Sequence, residues 1–203
     1  MLTMNDIAVD PLSLGEAADF SALFGNDRPV ELEIGCGKGG FLLRQARAHP
    51  ERNYLGIEWA NAYYKFAADR MARWGLGNVR VMRCDAKPFV LRRVAAGSLA
   101  ALHVYHPDPW PKRRHRKRRL VQADFAEAAA RVLAPGGRLA VQSDHAEYFC
   151  QMQAVILSRA EFMAAPFEDE TIGAAGAGLQ TNYEVKYLRE GRAIYRLAVV
   201  KWT

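Results

Sequence analysis

One aspartate, Asp108, lies between two prolines at the start of a strongly basic stretch. Residues 106–119 read HPDPWPKRRHRKRR. Each proline fixes its own backbone and restricts the residue before it, so Pro107 and Pro109 hold the carboxylate in a preset place. A basic run that is merely solvated does not require a proline-fixed carboxylate before it. A carboxylate beside so much positive charge suits an anionic substrate. The stretch therefore predicts an acid that acts on something anionic.

The basic run itself, residues 113–119, allows several interpretations. Most runs of this kind are solvated faces, and a nuclear-localisation signal has the same composition. Here the run directly follows the predicted catalytic strand and continues into a helix start. That position favours a surface that contacts the phosphates of a nucleic acid. Trp110, just before the run, could stack on a base or form the wall of a pocket, and we favour the wall.

A glycine-rich loop follows the first predicted strand. In ELEIGCGKGG, Gly35, Gly37 and Gly40 satisfy G-x-G-x-x-G, and Glu58 follows about 20 residues later. This spacing is typical of a dinucleotide site, in which a helix N-terminus binds the pyrophosphate and the acid binds the ribose. The match alone does not identify the ligand.

Four acids decide between the candidate cofactors. Ligands of a doubly wound sheet bind beyond the carboxyl ends of its strands, and the predicted ends carry Glu33, Glu58, Asp85 and Asp108. Four carboxylates repel the pyrophosphate of NAD, whereas S-adenosylmethionine presents a sulfonium and an ammonium group and no phosphate. Glu58 would accept hydrogen bonds from the two ribose hydroxyls, and Asp85 would lie near the adenine amino group. Solvation or helix capping explains one or two such acids but not four, so we predict S-adenosylmethionine.

Short apolar runs alternate with helical patterns along the chain, which predicts a doubly wound α/β fold with a mainly parallel sheet. The predicted strands are 30–34, 53–59, 78–86, 98–110, 138–144, 181–188 and 193–202. The predicted helices are 41–49, 60–75, 120–137 and 147–160. The last two of the seven strands, joined by REGR, form an antiparallel C-terminal hairpin. We expect a single domain over residues 1–203, with a short N-terminal segment (1–29) before the catalytic fold (30–203).

The composition excludes several classes of protein. The 203 residues carry a net charge of +6, which favours an acidic partner such as nucleic acid. Three widely spaced cysteines without a CxxC pair argue against a disulfide framework or a zinc site, and Cys36 is a small loop residue rather than a nucleophile. His103 and His106 fall on opposite faces of a strand, so we expect no metal site.

The first residues contain neither the basic region nor the apolar stretch of a signal peptide. No other stretch approaches the length that crosses a membrane. We therefore expect a cytoplasmic protein without membrane association, and no motif indicates an obligate protein partner.

Taken together, the motifs resemble those of one enzyme family. EIGCGKG, GIEW, HPDPWPKRRHRKRRLVQ, LAPGG, QSDHAEY and TNYE closely resemble the bacterial tRNA (guanine-N7-)-methyltransferases, in order, from about Val30 to the C-terminus. The PDPW motif with its basic run and the terminal T-x-Y-E are specific to that family, whereas many methyltransferases share the glycine loop. The segment before Val30 departs from the pattern, because many relatives carry a longer basic extension there.

The resemblance implies a class I S-adenosylmethionine-dependent methyltransferase fold and methyl transfer to guanine N7 in the variable loop of tRNA. The cofactor-binding residues that it implies are Glu33, Gly35, Gly37, Glu58, Asp85 and Asp108, of which Asp108 is also the catalytic residue. The substrate-binding residues are Lys112, Asp144, Thr181, Asn182, Tyr183 and Glu184. The RNA-binding residues are Arg114, His115, Arg116, Lys117, Arg118 and Arg119.

This reaction makes modest chemical demands. Guanine N7 has a free lone pair, so the enzyme needs mainly alignment and charge stabilisation. Asp108 can stabilise the positive charge that develops on the purine and accept from guanine N–H groups, which favours an electrostatic and positioning role over a general base. Asp144 precedes a predicted helix, so capping and guanine binding both stay open. Thr181 and Glu184 offer a hydroxyl and an acceptor, and without the resemblance they would be exposed strand residues.

Two functions from other classes stand as alternatives. A NAD-dependent oxidoreductase explains the glycine loop but neither the strand-end acids nor the basic run. A non-enzymatic RNA-binding module explains the cations but not the acids.

Overall fold

A mostly parallel sheet with an antiparallel edge runs through the protein. The computed structural model describes residues 1–167 and 190–202. The strands of this described part are β1 (Ala8–Val9), β2 (Val30–Ile34), β3 (Asn53–Ile57), β4 (Val79–Met82), β5 (Leu99–Tyr105), β6 (Leu133–Ser143), β7 (Phe162–Ala165) and β8 (Tyr195–Lys201). They lie in the order β1-β4-β3-β2-β5-β6-β8-β7. Strands β1 to β6 pair in parallel, whereas β8 runs antiparallel to both β6 and β7.

Helices cover both faces of the sheet. They are α1 (Met4–Ile7), α2 (Phe20–Phe24), α3 (Gly40–Ala48), α4 (Asn61–Arg73), α5 (Ala86–Arg92), α6 (Ala123–Val132) and α7 (Ala146–Leu157), with 3-10 helices at Pro11–Leu14 and Arg113–Arg118. Buried residues of α1, α3 and α4 form one apolar cluster with the strands, and those of α2, α5, α6 and α7 form another. Two-sided burial of this kind is the doubly wound arrangement that the alternating pattern predicts.

The register of the central strands decides where the loops meet. All five residues of β2 and of β3 are buried, as is usual for parallel strands covered on both faces. Glu33 of β2 pairs with Gly56 of β3 on one side and with His103 of β5 on the other. The carboxyl ends of the three strands therefore reach the same edge of the sheet, where ligands of such folds bind.

The fold class and the antiparallel C-terminal edge agree with the sequence prediction, but the predicted count of seven strands is wrong. Eight strands lie within the described residues, and β1 and β7 are absent from the prediction. Strands of two and four residues are too short to show a clear alternation. In the described part β8 pairs with β6 and β7, with Val199 opposite Leu139 and Ala164. The predicted hairpin partner, 181–188, lies outside the described residues.

Two further boundaries differ from the prediction. The helix predicted over 120–137 ends at Val132, and β6 begins at the next residue. The Pro-Gly-Gly stretch therefore lies within the span of β6, next to an irregularity in its pairing with β5. The chain also forms α5 directly after Asp85, whose carboxylate accepts a hydrogen bond from the Lys87 amide at 3.1 Å. The prediction lacks this helix because it is only seven residues long.

Residues 1–29 contribute to both apolar clusters. Ile7 is buried in the cluster of α3 and α4, and Phe20 and Phe24 are buried in the other cluster. Strand β1 is the outermost strand on one side of the sheet, where it pairs with β4. The division of the chain at residue 30 stays a prediction.

Within the two described ranges, none of the helices combines the length and the apolar character that crossing a bilayer requires.

Gly56 allows β3 to pack closely against the glycine loop. A Cβ on Gly56 would lie 2.5 Å from Leu42 Cδ1 and 2.9 Å from Cys36 Sγ, both in the buried cluster. We expect Gly56→Ala to lower the free energy of unfolding by about 1–3 kcal/mol through overpacking, as measured by urea denaturation.

Gly77→Ala is the matched control, because no described atom lies within 4 Å of its Cβ position. This variant should match or slightly exceed wild-type stability, since alanine reduces the freedom of the unfolded chain. Equal stability of the two variants would contradict the close approach at Gly56.

Candidate active site

The loop between β2 and α3 leaves an open space at the sheet edge. Gly35 and Gly37 adopt left-handed φ angles of 74° and 54°, which glycine reaches without steric cost. The amides of Gly35 and Cys36 donate to the Ile57 carbonyl of β3 at 2.8 and 3.1 Å, which ties the loop to the neighbouring strand. A Cβ on Gly35 or Gly37 would meet no described atom within 4 Å. The loop therefore has room for a ligand beside its backbone.

Glu58, at the end of β3, connects two loops of this edge. Its Oε2 accepts from the Gly37 amide at 2.8 Å, and its Oε1 accepts from the Ala60 amide at 2.7 Å. The residue is 9% exposed. A carboxylate offers about four acceptor sites, so both oxygens keep capacity for further donors. The backbone bonds fix the orientation of the carboxylate that we predict to bind a ribose diol.

Glu33, one residue before the end of β2, is a buried acid. Its pKa is raised to about 8, mainly by burial and to a smaller extent by the nearby Glu58, against the opposing charge of Arg44. Its Oε2 has no hydrogen-bond partner among the described residues. An unsatisfied carboxyl oxygen in a buried position is costly, and a ligand that supplies a donor or a positive charge would remove that cost.

The neighbouring Cys36 agrees with the interpretation as a loop residue. Burial, together with the charges of Glu33 and Glu58, raises the pKa of the Cys36 thiol well above its usual range. The thiol therefore stays protonated at neutral pH and is a poor nucleophile.

Asp85 has an explanation that needs no ligand. It is exposed, and its carboxylate caps α5 through the Lys87 amide. Capping is the alternative to cofactor binding for an acid at a strand end, and it accounts for the position of Asp85.

The Pro107–Trp110 tetrad has a strained backbone. His106 and Trp110 have φ angles of 51° and 42°, and they are the two non-glycine residues with positive φ in the described part of the chain. Both precede prolines, where the preceding residue normally stays extended. Such outliers persist only where the surroundings hold them, and they concentrate at functional sites. Asp108, midway between them, is exposed to solvent.

A polar network holds the first residue of this stretch. The His106 amide donates to the Gln142 carbonyl of β6 at 2.8 Å, and the His106 ring lies 2.7 Å from Gln142 Nε2. His106 Nδ1 lies 3.6 Å from Asp144, and Asp144 accepts from Arg192 at 2.9 Å. The network brings the predicted substrate residue Asp144 to the base of the tetrad.

Asp144 does not cap α7. The N-cap residue is His145, whose Nδ1 accepts from the Tyr148 amide at 3.2 Å. Of the two interpretations left open for Asp144, capping is therefore wrong. A residue directly before a predicted helix cannot be told from its neighbour by sequence, because helix boundaries are uncertain by one or two positions.

The basic run forms a 3-10 helix beside the tetrad. Lys112, Arg114, Arg116, Lys117 and Arg118 are exposed, and His115 is half-buried. The guanidinium of Arg118 lies 5.0 Å from the Trp110 ring, and the His115 ring meets Trp110 edge-on at 5.8 Å. Trp110 thus packs beneath the run. We call the exposed cations Arg113, Arg114, Arg116, Lys117 and Arg118 the basic surface.

Arg119 departs from the prediction for the run. It is 1% exposed, and its guanidinium donates to Pro109, Glu147 and Gln151. A phosphate cannot reach a guanidinium enclosed in this way. The sequence groups Arg119 with its neighbours because burial of a cation depends on partners far along the chain.

The remaining predicted substrate residues, Thr181, Asn182, Tyr183 and Glu184, lie outside the described residues. The polar network around Asp144 also contains His106, Gln142 and Arg192, none of which the sequence indicated as a site residue. The position of His106 before a proline was an available signal. Within the described ranges, no group of three or more His, Cys, Asp and Glu side chains is placed to hold a metal ion.

The raised pKa of Glu33 predicts a pH-dependent stability. Between its unfolded pKa near 4.5 and its folded pKa of about 8, the folded state holds a proton that the unfolded state has released. Wild-type stability therefore falls as pH rises across this window, by up to about 1.4 kcal/mol per pH unit. Glu33→Gln removes this dependence, and urea denaturation of the ligand-free protein at pH 5 and pH 8 measures it.

Glu16→Gln, at an exposed acid, is the control and should follow wild type. A constant stability difference between wild type and Glu33→Gln at the two pH values would show that Glu33 ionises normally.

Curated relatives and a family model match this chain over most of its length. The family model described as "Putative methyltransferase" matches residues 27–197. A tRNA (guanine-N(7)-)-methyltransferase of Geobacter metallireducens is 38% identical over 188 residues, which cover 92% of this chain and 89% of the relative. The enzyme of the same name from Syntrophotalea carbinolica is 47% identical over 136 residues, covering 67% of this chain and 59% of the relative.

Solved structures with little sequence identity share the fold. The antibiotic-resistance methyltransferase Kmr has a TM-score of 0.57 at 20% identity and covers 95% of this chain and 91% of its own. An S-adenosylmethionine-dependent O-methyltransferase from Thermotoga maritima has a TM-score of 0.57 at 15% identity, covering 91% and 63%. These likenesses establish the class I methyltransferase fold. The family model and the alignments to the curated relatives show that the chain belongs to the family of bacterial tRNA (guanine-N7-)-methyltransferases.

Proposed function

We propose that this protein transfers the methyl group of S-adenosylmethionine to N7 of a guanine in the variable loop of tRNA. The observation that carries the proposal is the juxtaposition of a preset carboxylate, Asp108, with the basic surface, at the sheet edge that also bears the glycine loop. The Geobacter relative, aligned over about nine tenths of both chains, bears the name of this activity.

The residues at the end of β2 fit this cofactor. S-adenosylmethionine supplies an electrophilic methyl group on a positively charged sulfur. Glu33 offers a buried carboxyl oxygen without a described partner, and the loop at Gly35 and Gly37 offers open space. Glu58 presents an oriented carboxylate that can accept from a ribose diol. The carboxylate of Glu58 repels a pyrophosphate, which argues against the NAD-dependent alternative.

Asp108 then acts through its charge. In methyl transfer the N7 lone pair would form the new bond to the methyl carbon while the carbon–sulfur bonding pair would stay with sulfur, and no proton would leave N7. Positive charge consequently moves onto the purine ring. Asp108 stabilises that charge where it develops, and it can accept from guanine N–H donors. Since the backbone around it is preset, little reorganisation is needed.

The proposed substrate-binding residues lie on both sides of Asp108. Asp144 lies against His106 at the base of the tetrad and is a candidate acceptor for the guanine edge. Lys112 is exposed at the start of the basic 3-10 helix. Thr181 and Glu184 are proposed on the family resemblance alone, as are Asn182 and Tyr183 between them.

The basic surface binds the phosphates of the tRNA. Its cations project from one short helix, and Arg118 stays over the Trp110 ring. Bound phosphate replaces counterions, so a surface of this kind supplies affinity without sequence specificity. A tRNA substrate also implies a cytoplasmic location.

One assay tests the proposed function directly. Incubation with labelled S-adenosylmethionine and unmodified tRNA should transfer label to a single guanine of the variable loop, located by cleavage at N7-methylguanosine. Transfer to another position or to no position overturns the proposal, and tRNA binding without transfer supports the RNA-binding alternative.

We expect Asp108→Asn to lower the single-turnover rate at saturating tRNA and cofactor by about 10²- to 10³-fold. The substitution keeps the shape of the side chain but removes the charge that stabilises the methylated purine. Asp27→Asn, at an exposed aspartate in the segment before β2, is the control and should keep the wild-type rate. A wild-type rate for Asp108→Asn would rule out the electrostatic role.

Replacing Arg113, Arg114 and Lys117 together by Gln should weaken tRNA binding and make it less dependent on salt. Each lost phosphate contact flattens the slope of log affinity against log salt by about 0.7 to 0.9. Cofactor affinity should stay at the wild-type value, because these side chains are exposed on the 3-10 helix Arg113–Arg118 and do not belong to the glycine loop. Filter binding of tRNA across a salt series provides the measurement.

The matched control replaces Lys65, Arg73 and Arg92 by Gln, which removes three exposed cations from α4 and α5. It has the same change in net charge and should keep the wild-type slope. If both triple variants flatten the slope equally, the basic surface makes no specific phosphate contacts.

A further inference from the structure

Arg119 is the buried end of an otherwise exposed basic run, and it touches the candidate catalytic tetrad. Its Nε donates to the Pro109 carbonyl at 2.8 Å. Pro109 directly follows Asp108, so this hydrogen bond reaches the backbone next to the catalytic carboxylate. The other nitrogens of the guanidinium face away from the tetrad, toward α7.

Helix α7 receives the other side of the guanidinium. Nη1 donates to Gln151 Oε1 at 2.6 Å and to Glu147 Oε1 at 3.1 Å, and Nη2 lies 3.3 Å from Glu147 Oε2. Glu147 and Gln151 are four residues apart, so they lie on one face of the helix. The guanidinium also lies 4.8 Å from the Tyr148 ring. Arg119 therefore links the tetrad to one face of α7.

Helix α7 is a firm anchor for this link. Tyr148 and Met152 are completely buried in the apolar cluster on that side of the sheet. Tyr148 Oη accepts from the Val121 amide at 3.0 Å, and Gln151 Nε2 donates to the Val121 carbonyl at 3.2 Å. The hydrogen bond from Arg119 also lowers the pKa of Glu147, as expected for a carboxylate that accepts from a guanidinium. The anchor thus has a fixed position.

The tetrad needs such a support, because its backbone is strained on both sides of Asp108. The His106 amide holds the leading end to the Gln142 carbonyl of β6. Arg119 holds the trailing end, next to the left-handed Trp110. Strained φ angles of this kind relax unless the surroundings determine them. The two bonds bracket the carboxylate.

We propose that Arg119 is a positioning residue, which holds Asp108 in place by fixing the Pro109 carbonyl to α7, and that it does not contact RNA. The catalytic part of this inference rests on the proposed methyl transfer. A planar guanidinium with five donors serves Pro109, Glu147 and Gln151 at once. A lysine at this position keeps the charge but cannot make the three contacts together.

The first test separates positioning from RNA binding. Arg119→Lys should lower the single-turnover rate at saturating tRNA and cofactor by about 10- to 100-fold, since displacement by about an ångström has that effect. The affinity for tRNA and its salt slope should stay at wild-type values. A weaker affinity with a slope flattened by about 0.7 to 0.9 at an unchanged rate would instead identify a phosphate contact and overturn the proposal.

The second test does not depend on activity. Hydrogen–deuterium exchange of the peptide that contains Asp108 and Trp110 should be faster in Arg119→Lys than in wild type, with peptides of the central strands unchanged. Unchanged exchange in the tetrad overturns the proposal whatever the rate shows. If the wild-type protein transfers no methyl group, the proposed function is wrong. The exchange rate of the tetrad in Arg119→Lys still shows whether Arg119 holds the tetrad.

Two further variants provide a second test of the link to α7 and a control for it. Gln151→Met removes one acceptor of the guanidinium while keeping its size, and it should change rate and exchange in the same direction but less. It also keeps the test available if Arg119→Lys does not fold. Arg131→Lys is the matched control, because Arg131 likewise donates to backbone carbonyls, those of Val90, Leu91 and Val94, away from the tetrad. Tetrad exchange that increases equally in Arg131→Lys would reveal a general loss of stability.

Discussion

The parallel pairing of β2 with β3 and β5 is the constraint on which the rest of the site depends. It places Glu33 beside Gly56 and His103 and brings three carboxyl ends to one edge. The close approach at Gly56 lets the glycine loop lie against β3, where Glu58 accepts from the Gly37 amide. Residues distant in the chain thus become neighbours by strand register rather than by individual side-chain contacts.

The acidic and the basic residues at this edge of the sheet differ in their exposure to solvent. The acids Glu33 and Glu58 are buried at the ends of β2 and β3, whereas the basic surface is exposed beyond β5. A buried acid binds a cationic ligand strongly because water does not compete for it. Exposed cations bind phosphates with an affinity that depends on salt. One edge can therefore serve a small cation and a large polyanion without the two sets of charges neutralising each other.

The tetrad lies between the buried acids and the basic surface, and its backbone is both restricted by prolines and strained. Prolines remove backbone freedom on both sides of Asp108, and His106 and Trp110 adopt left-handed angles that residues before proline rarely adopt. The hydrogen bond from the His106 amide to β6 and the hydrogen bond from Arg119 to the Pro109 carbonyl stabilise this geometry. A carboxylate held in this way needs little rearrangement when charge develops on the base, which is the advantage of a preset electrostatic group.

Local patterns in the sequence determined the alternation of strands and helices, the glycine loop, the acids at the strand ends and the tetrad with its basic run. These features depend on the chemistry of neighbouring residues, so they can be read along the chain. Only the tertiary structure decided that Arg119 is buried while Arg118 is exposed, that His145 rather than Asp144 caps α7, that Asp85 caps α5 and that β7 pairs with β8. Arg119 depends on partners far along the chain, because a charged side chain can be buried only where distant residues satisfy its hydrogen bonds. Strand β7 depends on its pairing with β8. The two caps bond to nearby amides, but the exact first residue of each helix decides which side chain is the cap, and sequence leaves that boundary open by one or two positions.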